Sequence, residues 1–350
     1  MSDVDVRGNV EKYYGDELKS SSDLKTSACC SIESIPDHHK EILSLIEDEV
    51  LSRFYGCGSP IPPSVEGCKI LDLGCGTGRD VYLLSKLVGE EGHVTGVDMT
   101  EDQLAVAKKY ESAQMEKFGY KKSNVTFKKG LIEDLKSLDI EDNSIDIIVS
   151  NCVINLSVDK EKVFSEIYRV LKPGGELYFS DVFSDRRIPV SLAEDHVLVG
   201  ECLGGAMYHE DFRRAMEKIG FLDFRVTHKA PIALDDPNVE AMVGMIKFSS
   251  LTIRAFKLED TLEDRCEDYG QMAIYKGSDK HHPHRFVLDD HHVFEKGKPM
   301  AVCGNTASML EDTRFEKHFD VMGNRDIHYG FFECSTDNVS NDSEETGACC

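Results

Sequence analysis

The fold of this 350-residue chain is decided by one stretch, Ile70-Leu71-Asp72-Leu73-Gly74-Cys75-Gly76-Thr77-Gly78-Arg79-Asp80. An apolar run enters the stretch, three glycines stand at alternate positions, and the polar residues that follow are expected to open a helix. Glycine is needed where a backbone turns tightly and comes close to a ligand, because a Cβ would block the approach. The G-x-G-x-G spacing differs from the dinucleotide-binding G-x-G-x-x-G, and no Lys-Ser/Thr follows the last glycine as in a P-loop. The stretch therefore predicts a strand, a ligand-binding loop and a helix.

The composition narrows the class of protein. Hydrophobic residues make up 41% of the chain, which is enough for a full core in one large domain and a smaller one. Forty Lys and Arg against 64 Asp and Glu give a net charge of −24, which argues against nucleic acid or an anionic membrane surface as a partner. No apolar run reaches the ~18 residues of a membrane span, and the N-terminus lacks the features of a signal peptide. We therefore expect a cytoplasmic protein with no nucleic-acid and no membrane partner.

Strand and helix patterns alternate from residue 68 onward. In chain order they are strand 69–73, helix 80–88, strand 93–98, a helix up to 118, strands 125–128 and 145–150, helix 160–170 and strand 176–182, with closing strands at 221–227 and 248–257. Thr100 and Gln103 are expected to form a capping box at the start of the second helix. This alternation predicts an α/β protein with a Rossmann-like, doubly wound sheet.

Around this sheet the chain is expected to divide into four parts. They are an N-terminal cysteine-bearing segment (1–40), the main domain (41–260) with an insertion at 184–212, a small C-terminal α+β domain (261–334) and a tail (335–350). The tail is rich in Asp, Ser, Asn and Glu, ends in two cysteines and is expected to be disordered.

Three features fall at the carboxyl ends of the predicted strands, where open α/β sheets bind their ligands. The glycine loop follows the first strand, Asp98 ends the second, and residues 130–134 follow the third. A carboxylate at Asp98 can accept hydrogen bonds from both ribose hydroxyls, and residues 130–134 offer an apolar cover and a carboxylate for adenine. The D-x-G-x-G-x-G form of the loop resembles motif I of class I S-adenosylmethionine methyltransferases. A dehydrogenase is the main competitor, and the glycine spacing disfavours it.

The cysteines point to the chemistry of soft ions. In a reducing compartment, twelve cysteines indicate ligands or redox-active thiols rather than a static disulfide framework. Cys57, Cys152 and Cys202 stand in loops that are expected at one rim of the sheet, with Cys152 directly after the fourth strand and Cys202 in the insertion. A lone cysteine is most often a small buried hydrophobe, but three at one rim favour a soft ion. The buried-hydrophobe interpretation is given to Cys68, Cys266, Cys303 and Cys334.

Together these motifs resemble the arsenite methyltransferases, enzymes that methylate trivalent arsenic with S-adenosylmethionine. The resemblance runs from about residue 10 to residue 258 and rests on stretches 25–29, 55–58, 70–80, 96–100, 150–156, 176–182 and 200–206. It implies a class I methyltransferase fold in which arsenic is bound by Cys57, Cys152 and Cys202. It also implies that Cys29 pairs with Cys57 during turnover, and that a thiol reductant such as glutathione or thioredoxin restores the thiols. Whether Cys29 or the adjacent Cys30 reacts stays open.

The resemblance further implies which residues hold S-adenosylmethionine. They are Tyr55, Asp72, Gly74, Cys75, Gly76, Gly78, Asp98, Met99, Gln103, Ile132, Glu133 and Asn151. Gln103 has the capping box as an alternative role, and Cys75 is interpreted as contributing its backbone rather than its thiol. We expect arsenite and methylarsenite as substrates, mono- and dimethylated arsenic as products for detoxification, and a monomeric protein.

Two other functions stay open from the sequence. The chain could methylate a carbon or thiol of a small metabolite, or it could be a non-catalytic protein that sequesters arsenic or a metal. The terminal pair Cys349-Cys350 could bind arsenite directly. A metal site is also conceivable at five histidines whose spacing matches no standard motif: His281, His282, His284, His291 and His292.

Overall fold

The main element of the protein is an eight-stranded sheet. The computed structural model describes residues 35–54, 56, 58–200, 202–234 and 236–333. The strands are β1 (Lys69–Leu73), β2 (His93–Asp98), β3 (Val125–Lys129), β4 (Ile145–Asn151), β5 (Leu171–Ser184), β6 (Met207–Tyr208), β7 (Phe224–Pro231) and β8 (Phe248–Phe256). Their order is β3-β2-β1-β4-β5-β8-β7, with the short β6 paired to β5.

The sheet is parallel on one side and antiparallel on the other. β1 to β5 run parallel to one another, whereas β8 runs antiparallel to both of its neighbours, β5 and β7. The chain moves outward from β1 to β3 and then crosses back to β4, so the direction of the strand order changes between β1 and β4. A ligand crevice is expected at this switch point. The predicted doubly wound α/β fold is confirmed.

Nine helices in the described part of the chain precede the C-terminal segment. They are α1 (Asp37–Leu43), α2 (Asp48–Ser52), α3 (Arg79–Val88), α4 (Glu101–Phe118), α5 (Lys160–Val170), α6 (Val190–Ala193), α7 (His196–Gly200), α8 (His209–Ile219) and α9 (Pro237–Val243). None of the described helices is long and apolar enough to cross a membrane.

Two details of the predicted elements were wrong. Thr100 precedes α4 as expected, but its side chain makes no capping hydrogen bond there, and its backbone N–H donates to Asp98 Oδ1 at 2.8 Å. The expected capping box is therefore absent. β5 begins at Leu171 rather than at 176, because Leu171 already pairs with Ile145 before the register shifts ahead of Ile147.

An apolar core covers each face of the sheet. On one face Phe164 of α5 and Phe212 of α8 pack against Phe179 of β5. On the other face Tyr82 of α3 packs against Phe127 of β3. These cores hold the parallel strands rigidly, so the loops at their carboxyl ends are fixed in position.

Residues 262–333 build a smaller β-rich body. It contains β9 (Glu267–Asp268), β10 (Gln271–Tyr275), β11 (Arg285–Val287), β12 (Val293–Glu295), β13 (Pro299–Val302), α10 (Gly304–Glu311), β14 (Phe319–Met322) and β15 (Gly330–Phe331). Its core centres on Tyr275, Phe286 and Phe315, and this core also includes Phe256 of β8. The segment thus packs directly on the last strands of the main sheet. The domain boundaries at 40, 260 and 334 stay a prediction, and the tail from 334 onward lies outside the described residues.

Candidate functional site

A cavity with about 1080 Å³ of empty space opens at the carboxyl ends of the parallel strands. Ten of the residues predicted for the cofactor line it: Asp72, Gly74, Cys75, Gly76, Asp98, Met99, Gln103, Ile132, Glu133 and Asn151. Gly78 does not line the cavity and instead precedes α3 as its N-cap residue, with φ of 87°. Tyr55 lies outside the described residues. The loops after four different strands therefore meet at one site, as the sequence predicted.

The glycine loop lines the cavity at the end of β1, and its glycines bring no side chains into this space. Gly74 has φ of 74°, and a Cβ at this position would overlap the side chain of Val153. Only glycine allows the loop after β1 to pass this close to the loop after β4. At Gly76, in contrast, a Cβ would meet no atom within 4 Å, so this glycine leaves open space in the loop.

Asp98 ties the glycine loop to the end of β2. Its Oδ2 accepts the N–H of Gly76 at 2.8 Å, and its Oδ1 accepts the N–H of Thr100 at 2.8 Å. Burial raises the pKa of Asp98, while these backbone hydrogen bonds act in the opposite direction. Each carboxylate oxygen has a second lone pair, so Asp98 can still accept a hydrogen bond from a ligand hydroxyl.

The charged side chains that line the cavity are mostly acidic. Arg53 also lines it, and Arg79 pairs with Asp80 at 3.0 Å. Four carboxylic acids line the cavity, namely Asp72, Asp80, Asp98 and Glu133. Burial raises the pKa of Asp72 well above its usual range, and the neighbouring Asp80 and Asp98 raise it further. Such a group is expected to gain from a nearby positive charge. The lining therefore fits a cationic ligand such as a sulfonium.

The far end of the cavity is suited to a flat ring. Leu131, Ile132 and Leu156 supply an apolar surface there, and Ile132 is buried. Glu133 is buried beside them and accepts a hydrogen bond from the Ser157 hydroxyl at 2.8 Å. An apolar wall with a fixed carboxylate is the arrangement expected for an adenine base and its amino group.

Two of the predicted arsenic ligands come together above the cavity. Cys152 lines it directly after β4, and its sulfur is engaged in a disulfide. The Cys202 thiol donates a weak hydrogen bond to the backbone carbonyl oxygen of Cys152 at 3.4 Å. Both cysteines are buried and both have a left-handed backbone, with φ of 55° and 61°. Non-glycine residues rarely adopt this conformation, and strained residues of this kind cluster at functional sites.

The insertion is held against the end of β4 by a close backbone approach. Gly205 lies so near Asn155 that a Cβ would overlap the Asn155 carbonyl oxygen. Asn155 is itself fixed, since its side-chain amide donates to the Val182 carbonyl at 2.6 Å. This contact sets the position of the loop that carries Cys202.

A buried acid and a buried base lie behind the cysteines. Asp181 of β5 accepts the N–H groups of Asn155 at 3.0 Å and Val182 at 2.9 Å. Burial raises the pKa of Asp181 to about 7. Burial also lowers the pKa of Lys160, whereas Asp181, Cys202 and Glu133 raise it. The Lys160 ammonium group therefore lies close enough to Asp181, Cys202 and Glu133 for their negative charges to favour its protonated form.

The remaining cysteines predicted for chemistry, Cys29 and Cys57, lie outside the described residues. The neighbours of Cys57 are described, and both approach the site. A Cβ on Gly56 would lie 2.8 Å from the side chain of Asn151, and the Gly58 carbonyl accepts the Asn151 amide at 2.9 Å. Asn151 directly precedes Cys152, so this loop contacts the segment that carries one of the predicted arsenic ligands.

Several site residues were missed from the sequence. Asp80 lines the cavity and accepts a hydrogen bond from the Asn151 amide at 3.3 Å. Its position two residues after the last motif glycine was the available signal. Asp181 and Lys160 had no such signal, because an acid inside a strand and a lysine at a helix start are read as ordinary polar positions.

Two other cysteines differ in character. Cys75 is buried against Gly96, and burial raises the pKa of its thiol well above the usual range, which supports its interpretation as a backbone contributor. Cys303 is buried as predicted, but the pKa of its thiol is lowered. A hydrogen bond from Cys266 is the main cause that lowers its pKa to about 6, and the N–H of Thr306 donates to its sulfur at 3.4 Å.

Comparison with known proteins agrees with this site. A methyltransferase-domain family profile matches residues 64–220, and a domain of unknown function matches residues 262–348. The arsenite methyltransferase of Aquipseudomonas alcaligenes is 53% identical over 325 residues, which cover 93% of each chain. The arsenite methyltransferase of Homo sapiens is 44% identical over 321 residues, covering 91% of this chain and 84% of its own length.

A solved structure extends the similarity to three dimensions. The crystal structure of an arsenic(III) S-adenosylmethionine methyltransferase from Chlamydomonas reinhardtii superposes with a TM-score of 0.83 at 50% identity, covering 86% of this chain and all of that one. The fold is that of class I S-adenosylmethionine methyltransferases, and the cavity of this chain lies at the switch point between β1 and β4. With its sequence, fold and cavity in agreement, this chain is a methyltransferase that belongs to the arsenite methyltransferase family.

Proposed function

We propose that this protein transfers a methyl group from S-adenosylmethionine to trivalent arsenic held by the thiolates of Cys57, Cys152 and Cys202. The observation that carries the proposal is the approach of Cys202 to Cys152 at the rim of the cavity. Thiolates are the ligands that soft ions select, and Cys202 contacts the backbone of Cys152, which lines the cavity. The disulfide of Cys152 would have to be reduced before its thiolate could bind arsenic.

The donor fits the cavity on three grounds. Gly76 leaves open space beside the end of β1, the carboxylates suit a cation, and Ile132 and Glu133 suit adenine. Asp98 would accept hydrogen bonds from ribose hydroxyls. S-adenosylmethionine supplies a methyl group on a cationic sulfur, and the arsenic lone pair forms the new As–C bond as the C–S electron pair returns to a neutral thioether.

The main contribution of the protein to the reaction would be to position the two reactants. The thiolates of Cys152 and Cys202 would fix the arsenic atom, and the glycine loop with Asp98 would fix the donor. Holding two reactants in an aligned geometry can supply about 7–11 kcal/mol of the barrier. This arrangement does not require a general base at the reacting atoms, because arsenic attacks with its own lone pair.

Turnover is proposed to involve a labile disulfide. Donating its lone pair to the methyl group oxidises arsenic by two electrons, and Cys29 and Cys57 would return these electrons as they form a disulfide with each other. A thiol reductant such as glutathione or thioredoxin would then restore both thiols. The already methylated arsenic would need two thiolates, which Cys152 and Cys202 can supply. We also propose that the protein acts as a cytoplasmic monomer and that mono- and dimethylated arsenic are made for detoxification.

The decisive experiment measures labelled methyl transfer to arsenite and to methylarsenite with a thiol reductant present. Cys152→Ser and Cys202→Ser should each lower transfer by about 10²-fold or more, because displacing a reactant by ~1 Å has an effect of that size. Cys29→Ser should lose transfer to arsenite and keep transfer to methylarsenite.

Cys68→Ser is the matched control, since Cys68 is half-buried and lies outside the cavity. Its activity should equal that of the unmodified protein. Full activity of both Cys152→Ser and Cys202→Ser would show that the thiolate site is misplaced. A labelled small metabolite without labelled arsenic would favour another methyltransferase, and arsenic binding without any transfer would favour a sequestering protein.

A further inference from the structure

Ser157 is buried at the apolar end of the cavity, beside the acid that is expected to face adenine. It lines the cavity together with Ile132 and Glu133, and only 9% of its surface is exposed. The chain reaches Ser157 from the end of β4 through a single 3₁₀ turn, Ile154–Leu156. The transfer of the methyl group itself does not require this hydroxyl, so its place in the cavity calls for another role.

The hydrogen bonds around Ser157 fix the direction in which its hydroxyl donates. The N–H of Asp159 donates to Ser157 Oγ at 3.1 Å, so Oγ is the acceptor in that contact. A hydroxyl has a single proton to donate, and Glu133 Oε1 lies 2.8 Å from Ser157 Oγ. The hydroxyl proton of Ser157 therefore points at the carboxylate of Glu133.

The backbone that carries this hydroxyl is held on both sides. The N–H of Ser157 donates to the Ile154 carbonyl at 3.1 Å, and the Lys160 ammonium donates to the Ser157 carbonyl at 3.1 Å. Asp159 caps α5 by accepting the N–H of Lys162 at 3.0 Å. These contacts tie Ser157 to the start of α5, so its hydroxyl has a fixed position relative to the cavity.

A fixed hydroxyl matters because a glutamate side chain has several rotatable bonds and loses entropy when it is held in one rotamer. Glu133 is only 5% exposed, and its carboxylate is an acceptor. An acceptor held in place attracts the amino group of adenine, which donates. It disfavours hypoxanthine, which has a carbonyl oxygen at the same position of the base. Burial strengthens this discrimination, since an unpaired polar group costs more free energy away from water.

We propose that Ser157 is a positioning residue that makes the donor site selective for adenine, by holding the Glu133 carboxylate where it accepts the adenine amino group. The inference rests on the proposed function, in which Ile132 and Glu133 receive the base of the methyl donor. Ser157 acts through Glu133 and does not touch the reacting atoms. A purely structural role has a different consequence, because loosening the start of α5 weakens the binding of every ligand equally.

The test measures, by calorimetry, how the full-length protein binds S-adenosylhomocysteine and its hypoxanthine analogue S-inosylhomocysteine, without arsenic. The unmodified protein should bind the adenine ligand at least about tenfold more tightly, because hypoxanthine leaves the carboxylate facing another acceptor. Ser157→Ala should lower the affinity for S-adenosylhomocysteine about tenfold, the value of one hydrogen bond to a charged group. It should change the affinity for S-inosylhomocysteine less than about threefold, because that ligand makes no use of the Glu133 acceptor.

Two further variants separate positioning from damage to the fold. Ser165→Ala is the matched control, because the exposed Ser165 hydroxyl of α5 donates to the Glu161 carbonyl at 2.8 Å, and both affinities should be unchanged. Glu133→Gln removes the carboxylate. Adding Ser157→Ala to Glu133→Gln should lower the affinity for S-adenosylhomocysteine less than about threefold, since residues that act through one another are not additive.

Equal losses for the two ligands in Ser157→Ala, or an unchanged affinity for S-adenosylhomocysteine, would overturn the proposal. So would a full additional loss in the Glu133→Gln background, or no preference for adenine in the unmodified protein. Loss of arsenite methylation with adenine selectivity intact would instead contradict the proposed acceptor alone.

Thermal unfolding checks that each variant folds. If Ser157→Ala does not fold, Ser157→Cys takes its place, because a thiol is similar in size and is a weaker donor than a hydroxyl. A reduced preference for adenine in Ser157→Cys supports the proposal, and an unchanged preference rejects it.

Discussion

Single residues at the proposed arsenic site have unusual backbone conformations and ionisation states. Cys152 and Cys202 both adopt left-handed conformations, which cost roughly 1–2 kcal/mol for a non-glycine residue. Behind them, Asp181 is fully enclosed and keeps its place through backbone N–H donors. The surrounding structure therefore stabilises two unfavourable features, the left-handed backbone of the two cysteines and the burial of the Asp181 carboxyl group.

The ionisation of Asp181 gives a prediction about stability and pH. Its pKa is raised from 3.8 to about 7 by burial, so the folded protein holds this proton more tightly than the unfolded chain. The stability contributed by the protonated form is complete below pH 3.8 and is lost as the pH rises to 7. Compared with Asp181→Asn, the unmodified protein should therefore lose up to roughly 4 kcal/mol of unfolding free energy between pH 4 and 7.

Urea unfolding at a series of pH values measures this difference. Asp211→Asn is a useful control, because a hydrogen bond from Arg187 lowers the pKa of the exposed Asp211. That variant should show a difference of opposite sign, in which the unmodified protein gains stability as the pH rises. Parallel stability curves for Asp181→Asn and the unmodified protein would contradict the raised pKa.

At the scale of elements, the insertion is fixed in position against the end of β4. It contains α6 and α7 and ends in β6, whose Met207 pairs with Phe183 of β5. Anchoring β6 in the main sheet gives the preceding loop a rigid end. The loop between α7 and β6 carries Cys202 and passes Asn155 at Gly205.

Gly205→Ala should separate arsenic chemistry from cofactor binding. The added Cβ overlaps the Asn155 carbonyl oxygen, so the loop must shift and move Cys202 away from Cys152. We expect a loss of about 10²-fold in arsenite methylation and about 1–3 kcal/mol in stability. Binding of S-adenosylhomocysteine, measured by calorimetry, should be retained because no described residue of the insertion lines the cavity.

Gly244→Ala provides a control of similar stability cost. Gly244 has φ of 62° but a Cβ there would meet no atom within 4 Å. Its ψ of −116° places it outside the regions that other residues favour, so the substitution should cost roughly 1–3 kcal/mol through backbone strain and leave methylation unchanged. Equal activity losses in Gly205→Ala and Gly244→Ala would show that destabilisation, rather than displacement of the loop that carries Cys202, explains the effect.

At the scale of the whole molecule, buried arginines join the C-terminal segment to the sheet. Arg225 of β7 pairs with Asp223 at 2.8 Å and with Asp289 of the C-terminal segment at 3.1 Å. Arg254 of β8 donates to the Leu288 carbonyl at 2.5 Å. These contacts are buried, so they fix the segment on β7 and β8 rather than leaving it as an independent appendage.

Arg225→Met should weaken the whole protein. Removing one partner of a buried ion pair leaves uncompensated charge on Asp223 and Asp289, which costs about 3–5 kcal/mol. Chemical unfolding measures this loss, and limited proteolysis should cut the C-terminal segment more readily. Arg213→Met is the control, since the exposed Arg213 pairs with Glu210 and Glu217 and should contribute about 0–1 kcal/mol. Equal losses in the two variants would contradict a structural role for the buried arginine.

The sequence alone determined the elements and the edge of the sheet that binds ligands. Alternating patterns placed β1 and β2 at their observed ends, and the glycine spacing together with Asp98 and Glu133 located the cavity. These signals are local, because periodicity and turn chemistry depend on residues a few positions apart. The prediction failed locally where Asp98 competed for the N–H of Thr100 and so replaced the expected capping box, and where β5 began at Leu171 rather than at 176.

Only the tertiary structure decided which distant residues meet. It brought Cys202 to Cys152 across 50 positions, placed Asp181 behind them, and gathered His38, His281 and His318 around one cavity. Such contacts depend on strand order and on how the C-terminal segment packs, and no short-range pattern encodes either. Burial, which raises the pKa of Asp181 and leaves ring nitrogens of histidines without partners, is likewise a property of the assembled molecule.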